Sequence, residues 1–93
     1  MNDLHLEFET PKSSMEEIRP ALDAALQKEF PGGMLRRTWD GEILRLTGPG
    51  AEGTIEFDGG KLVGRARLGP PASLLRSTIE QKVGAAMRVA AGG

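Results

Sequence analysis

Apolar and polar residues alternate along the first segment of the chain. Leu4, Leu6 and Phe8 occupy every second position over residues 4–9, with polar side chains between them. A period of two with one apolar face is typical of a half-buried strand. We therefore predict a strand here, which the segment Thr10-Pro11-Lys12 ends.

The spacing becomes helical after this break. Ser13 and Ser14 precede Glu16 and Glu17, which is the pattern of two overlapping capping boxes. Pro20 lies within the segment, but the apolar stripe keeps its phase across it, so we predict one helix with a kink at Pro20. The stripe consists of Met15, Ile18, Leu22, Ala25, Leu26 and Phe30.

A first hairpin is predicted around Asp40-Gly41, which separates residues 34–39 from residues 42–47. This dipeptide is a strong signal for a two-residue type I′ turn. Pairing across the turn places Trp39 opposite Glu42. The inward face of the hairpin then carries Leu35, Arg37, Trp39, Leu44 and Leu46.

A second hairpin, from Thr54 to Leu68, turns at Gly59-Gly60. Its register places Phe57 opposite Leu62, so the turn position and the apolar phase agree. The last strand carries small residues on its inward side, Gly64 and Ala66. Such residues either let a helix approach closely or leave room for a ligand.

Helical spacing returns after Gly69-Pro70-Pro71. Gly84 in the middle of this second helix costs about 1 kcal/mol relative to alanine, which a close approach to the sheet would compensate. The apolar stripe consists of Leu75, Ile79, Val83, Ala86, Met87 and Ala90, and Leu74 widens it.

The element order β-α-β-β-β-β-α predicts a single α+β domain over residues 1–93. We expect two layers, with a five-stranded antiparallel sheet and two helices on one face of it. The first strand would lie at an edge, beside the last strand. In element order this architecture resembles a reduced helix-grip (START-like) fold, a likeness that does not by itself determine function.

Composition and charge narrow the classes of function. Twelve basic and 13 acidic residues give a net charge of −1, which provides no positive field for binding nucleic acid. Without cysteine, and with His5 as the only histidine, no disulfide, thiolate nucleophile or multi-histidine metal site is possible. No apolar run approaches the roughly 20 residues of a membrane span and no signal pattern is present, so we expect a cytoplasmic protein.

No pattern of residues predicts catalysis. His5 and Glu7 point the same way from the first strand, but a solvated pair is the simpler interpretation. Gly59-Gly60-Lys61 lacks the flanking residues of a phosphate-binding loop, and no serine lies in a nucleophile elbow. We therefore expect a protein that is not an enzyme and that uses no cofactor and no metal.

Arg37 indicates a candidate binding site, because the predicted register turns this residue toward the helices. Its guanidinium could extend to the rim of the domain, or it could bind the carboxylate of a ligand in a partly apolar cavity. Trp39 would form a wall of that cavity. The predicted ligand-binding residues are Arg37, Trp39, Leu46, Ile55 and Met87.

A series of segments in the second half of the chain suggests a family. They are WDGEILRL (Trp39 to Leu46), GAEGTI (Gly50 to Ile55), Leu68-Gly69, Leu74-Leu75-Arg76 and Ile79-Glu80. In order and spacing, residues 34–83 are similar to the polyhydroxyalkanoic acid system family, small bacterial proteins often encoded near genes for storage-polyester synthesis. The resemblance implies an accessory role and brings no established catalytic residues.

The leading hypothesis is a non-enzymatic accessory protein of the polyhydroxyalkanoate storage system. It would bind a granule-associated partner or a small apolar acid. One alternative is a START-like carrier of a small hydrophobic ligand, and another is a homodimeric protein-interaction module. None of these functions involves nucleic acid or a membrane span.

Overall fold

The computed structural model describes residues 2–33 and 35–92. The strands form one antiparallel sheet in the order β1-β5-β4-β3-β2, so β1 lies at an edge beside β5. This arrangement confirms the predicted α+β architecture and the predicted place of the first strand. The elements are β1 (Asn2–Glu9), α1 (Met15–Glu29), β2 (Arg36–Asp40), β3 (Ile43–Gly48), β4 (Ala51–Asp58), β5 (Lys61–Leu68) and α2 (Arg76–Gly92), with 3₁₀ turns at Pro31–Gly33 and Ala72–Leu75.

One hydrophobic core joins both helices to the same face of the sheet. The other face carries charged side chains that pair across strands, such as Arg65 with Glu56 at 3.1 Å and Lys61 with Glu7 at 3.4 Å. The alternation along each strand therefore separates an apolar inner face from a solvated outer face. The largest fully buried side chains are Met15, Ile18, Leu22, Leu26, Leu44, Ile55, Leu62 and Met87.

Helix α1 begins at the second of the two predicted caps. Ser14 is the N-cap, and its hydroxyl oxygen accepts a hydrogen bond from the backbone N–H of Glu17. The Glu17 carboxylate accepts a hydrogen bond from the Ser13 hydroxyl at 2.8 Å, which holds the pKa of Glu17 below its ordinary value. Pro20 lies on the exposed side of one continuous helix, in agreement with the unbroken apolar phase.

The β2–β3 hairpin differs from the prediction in its register. Trp39 pairs with Leu44, so the predicted pairing with Glu42 is wrong. A type I′ turn at residues 40–41 would need a positive φ at Asp40, and among the described residues only glycines have a positive φ. The turn instead uses Gly41, with φ of 63°, as its first central residue. Because the partner shifts by two residues, the inward face is unchanged.

The β4–β5 hairpin has the predicted register. Phe57 pairs with Leu62, and both glycines of Gly59-Gly60 have a positive φ, as a type I′ turn requires. Strand β4 begins at Ala51, earlier than predicted, because the preceding turn needs only Pro49-Gly50.

The two helices pack in opposite directions and reach different distances along the sheet. Thr10, just before α1, donates a hydrogen bond from its hydroxyl to the carbonyl of Ala91, near the end of α2. At the other end, Lys82 Nζ donates to the carbonyl oxygen of Glu29, the last residue of α1, at 3.2 Å. The first turns of α2 therefore extend beyond the end of α1. Neither helix, over the described residues, is long and apolar enough to cross a bilayer.

Two predictions for the second helical segment are wrong. Leu74 does not widen the apolar stripe, because Ala72–Leu75 forms a 3₁₀ turn in which Leu74 is 81% and Leu75 59% exposed. Gly84 is buried, but a Cβ added there would lie 3.9 Å from the Phe8 ring, which is ordinary contact. The sheet therefore does not require glycine at position 84.

Candidate ligand-binding cavity

An apolar cavity of about 310 Å³ lies between the sheet and the first half of α2. This volume is at the lower end of the range typical of small-molecule sites, and it equals about ten water molecules in the liquid. The cavity is partly open to solvent, so it is a pocket at the edge of the core and not an enclosed void. Its place beside α2 has a structural cause.

The cause is the early end of α1. Phe30 caps this helix, and Phe30 and Leu35 border the cavity on the side where the chain leaves α1 for β2. Beyond that point α2 faces the sheet without a second helix beside it. Ile79 and Val83 line the cavity from α2, because residues four apart share one face of a helix. Leu75 lines it from the 3₁₀ turn that precedes α2.

The sheet contributes a wall of small side chains. Ala66 on β5 and its neighbours Gly53 and Ala51 on β4 line the cavity. Gly53 has no room for a side chain, since a Cβ there would lie 2.9 Å from the Cβ of Ala66. The small side chain of Ala66 borders the cavity and leaves space between the sheet and α2.

The accessible wall of the cavity is almost entirely apolar. Glu52 and Arg65 also border it, but each is next to an inward-facing residue along its strand, so their side chains lie on the outer face of the sheet. Arg65 pairs there with Glu56. The charged side chain that borders the cavity from the helical layer is Lys82.

Lys82 connects α2 to the end of α1 at the cavity mouth. Its Nζ donates to the Glu29 carbonyl oxygen and lies 6.0 Å from the centroid of the Phe30 ring. Within residues 2–33 and 35–92, no ion pair includes Lys82. Its positive charge is thus balanced by a carbonyl dipole and an aromatic ring, and by no carboxylate.

The five predicted ligand-binding residues lie in different places. Leu46 and Ile55 line the cavity. Met87 is fully buried in the core, behind Gly64. Arg37 and Trp39 lie on β2 and do not border the cavity, because their side chains contact α1.

Arg37 and Trp39 share the carboxylate of Asp23. The indole N–H of Trp39 donates to both carboxylate oxygens at 3.1 Å, and Arg37 Nε lies 3.5 Å from one of them. Arg37 also donates to the side-chain oxygen of Gln27, and the Arg19 guanidinium stacks over the Trp39 ring at 4.6 Å. The prediction that Arg37 faces the helices is correct, and its carboxylate partner in this structure is Asp23 of its own chain.

Lys82 and the wall of small residues on β4 and β5 were not among the predicted site residues. The apolar stripe of α2 does not include Lys82, which lies between two of its members, Ile79 and Val83. The sequence predicts two helices of different length, which is a signal that one extends beyond the other. Where the end of α1 lies along α2 depends on the tertiary contacts of Thr10 and Glu29.

The described residues hold no other arrangement that suggests chemistry. His5 and Glu7 form the predicted pair, with Nε2 and Oε2 2.6 Å apart, and both side chains are exposed on the outer face of the sheet. No group of three or more potential ligands is placed to hold a metal ion in this part of the chain.

Comparison of the chain with family models, curated protein sequences and solved structures finds no match.

Proposed function

We propose that this protein binds one small, mainly apolar molecule in the cavity beside α2 and carries out no reaction on it. The observation that carries the proposal is a cavity of about 310 Å³ with an almost wholly apolar wall. Leaving apolar surface in contact with water costs roughly 25 cal/mol per Å². A ligand that covers the wall of small residues recovers this free energy, which gives the site a driving force for binding.

The polyhydroxyalkanoate system supplies a context for the ligand. The resemblance of residues 34–83 to that family is the basis for this context, within which we propose an accessory protein that binds a small apolar acid. A concave site of this size favours the small molecule over a granule-associated protein, because stable protein partners usually cover about 800 Å² on each side.

Binding is tested with uncharged probes, the straight-chain alcohols from butanol to decanol. We expect chemical-shift changes in the isotope-labelled protein around Leu46, Ile55 and Ile79. Affinity should rise about fourfold for each added methylene until the cavity is full, which corresponds to roughly 0.8 kcal/mol per buried methylene. No saturable binding by any alcohol would overturn the proposal.

The site is tested with a variant that fills it. Ala66→Leu places three extra carbons in the cavity and should abolish alcohol binding. Ala24→Leu adds the same atoms on the exposed side of α1 and should leave binding unchanged. Alcohol binding that persists in Ala66→Leu places the ligand elsewhere and contradicts the proposal.

A homodimer is an alternative interpretation of the sequence, and a second copy of the chain that covered the cavity would be the main competing explanation of its opening. Light scattering at several protein concentrations measures the oligomeric state. We expect a monomer that binds alcohols, whereas a dimer that excludes them would overturn the proposal.

The storage-system context has a separate test. Co-sedimentation with polyester granules is compared with that of a control protein of similar charge. Enrichment over the control supports the context, and equal recovery contradicts it without affecting the alcohol binding.

A further inference from the structure

We infer that the natural ligand of the cavity is a monocarboxylic acid with an unbranched apolar chain, and that Lys82 binds its carboxylate at the mouth. This inference rests on the proposed function and adds the polar end and the orientation of the ligand. The chain would lie against the wall formed by Gly53 and Ala66, and the carboxylate would remain near solvent.

The position of Lys82 on α2 supports this assignment. Ile79 precedes it and Val83 follows it, and all three residues border the cavity. Lys82 is half-buried, as expected when the apolar stem of a lysine lies along an apolar wall and its ammonium group reaches the rim. A ligand in the cavity would therefore have its outer end next to the ammonium group.

Among the described residues, one hydrogen bond uses the Lys82 ammonium group, which leaves two N–H donors for a ligand. An ammonium group has three donors, and one of them is used by the Glu29 carbonyl oxygen at 3.2 Å. That carbonyl belongs to the C-terminal end of α1, where the helix dipole is negative and holds the ammonium group in place. The lysine is thus positioned before any ligand binds.

Three acidic residues that neighbour Lys82 or border the cavity form no ion pair with it in the part of the chain that the structure describes. Glu80 pairs with Arg76 at 3.5 Å, one turn earlier on α2. Glu52 borders the cavity, but its side chain lies on the outer face of the sheet. The Glu29 carboxylate is more than 4.0 Å from Lys82 Nζ, since this pair forms no ion pair. A bound carboxylate would therefore meet a positive group that, among the described residues, has no carboxylate within 4.0 Å.

Thr78 extends the polar margin of the mouth. It lies four residues before Lys82, on the same side of α2, and it borders the cavity with an exposed side chain. Its hydroxyl can donate a second hydrogen bond to a carboxylate. The apolar interior and this polar margin together match a molecule that is apolar along its length and anionic at one end.

The test compares octanoate with octanol, which share a chain and differ in the charged end. Dissociation constants are measured by calorimetry for the wild type and for Lys82→Met, Lys82→Arg and Lys61→Met. Lys61→Met removes the same charge from the outer face of the sheet and serves as the control. We expect Lys82→Met to weaken octanoate about tenfold, as loss of a charged hydrogen bond does, and to change octanol less than twofold.

The conservative variant separates binding of the carboxylate from a purely structural role. Lys82→Arg should keep octanoate affinity within about threefold of the wild type, since arginine also pairs with carboxylates. If Lys82→Met weakens the binding of octanoate and of octanol equally, Lys82 only holds the end of α1. That result would overturn this inference but not the proposal that the cavity binds an apolar molecule. Failure of both probes to bind the wild type would overturn the proposed function as well.

Discussion

Gly64 on β5 and Met87 on α2 are in direct contact. A Cβ added to Gly64 would lie 2.9 Å from Met87 Sδ and 3.1 Å from its terminal methyl carbon. Met87 is fully buried, so its thioether is enclosed on the other sides. The absence of a side chain at Gly64 thus sets how closely α2 approaches the sheet, one of the two consequences predicted for small residues on this strand.

Replacing Gly64 should therefore destabilise the protein. Gly64→Ala forces Met87 to shift within a packed core, and overpacking of this kind costs about 1–2 kcal/mol. We expect the free energy of unfolding, measured by urea denaturation, to fall by this amount. The double variant Gly64→Ala/Met87→Ala should lose less than the sum of the two single changes, because the shortened side chain removes the clash. Additive losses would mean that the two residues do not press on each other.

Gly84→Ala should have the opposite effect. An alanine Cβ at Gly84 would make ordinary contacts with Phe8 at 3.9 Å and Leu6 at 4.0 Å. Alanine is favoured over glycine inside a helix by about 1 kcal/mol. We expect the free energy of unfolding to rise by up to that amount in the same urea experiment. A loss of stability would show that α2 and β1 pack more tightly than these distances indicate.

Thr10 fixes the start of α1 to the end of α2. Its buried hydroxyl donates to the Ala91 carbonyl and accepts from the backbone N–H of Lys12 at 3.1 Å. Thr10→Val keeps the shape of the side chain but removes the hydroxyl that bonds to the Ala91 carbonyl and the Lys12 N–H. We therefore expect the free energy of unfolding to fall by about 1–3 kcal/mol. Thr10→Ser keeps the hydroxyl and is the control. A loss in Thr10→Ser with none in Thr10→Val would assign the stabilisation to the methyl group and contradict this role of the hydroxyl.

The fold followed from local signals, because those signals act over a few residues. The Gly59-Gly60 turn and the apolar phase on each side of it determine one register, which the structure has. At Asp40-Gly41 two turns were compatible with the same faces. They are distinguished by the backbone angle of Asp40, which is not positive as the predicted turn would require. An error of two residues there left every side chain on its predicted face.

The cavity could not be predicted in the same way. It depends on where α1 ends relative to α2, and this offset is set by contacts between residues far apart in sequence, such as Lys82 with Glu29. Leu46 and Ile55 were assigned to the site because they face inward. Trp39 and Arg37 face inward too, but the carboxylate of Asp23 holds both against α1.

The outer face of the sheet predicts a pH dependence centred on Glu7. A hydrogen bond from His5, and then one from Lys61, hold the pKa of this carboxyl below its ordinary value of 4.5. A carboxyl with a lowered pKa in the folded state stabilises the fold above its unfolded pKa. That contribution disappears as the pH falls from 4.5 through the lowered value.

Carbon-detected NMR titration of the Glu7 carboxyl measures this shift. We expect His5→Val to raise the pKa of Glu7, with Lys61→Met raising it as well. Arg45→Met, which removes the partner of Asp40 on the same face, should leave it unchanged. The stability difference between the wild type and His5→Val should shrink in acid. A Glu7 pKa that is the same in all variants would contradict the pairing.

Ala66→Leu separates stability from binding. The added side chain enters the apolar cavity, and filling a cavity commonly stabilises a protein by about 0.5–2 kcal/mol. A ligand at 100 times its dissociation constant stabilises the wild type by about 2.7 kcal/mol. Without ligand, the variant should therefore unfold at a higher temperature than the wild type, and with saturating octanol this order should reverse.

The control for this reversal is Ala24→Leu on the exposed side of α1, which should follow the wild type with and without octanol. Both measurements use thermal unfolding at one protein concentration, since a change in oligomeric state would also shift the midpoint. A destabilised Ala66→Leu would mean that the wall at Ala66 is packed against other side chains. The space beside α2 would then be too small for a ligand, because the same three carbons that fail to fit are a minimal apolar chain.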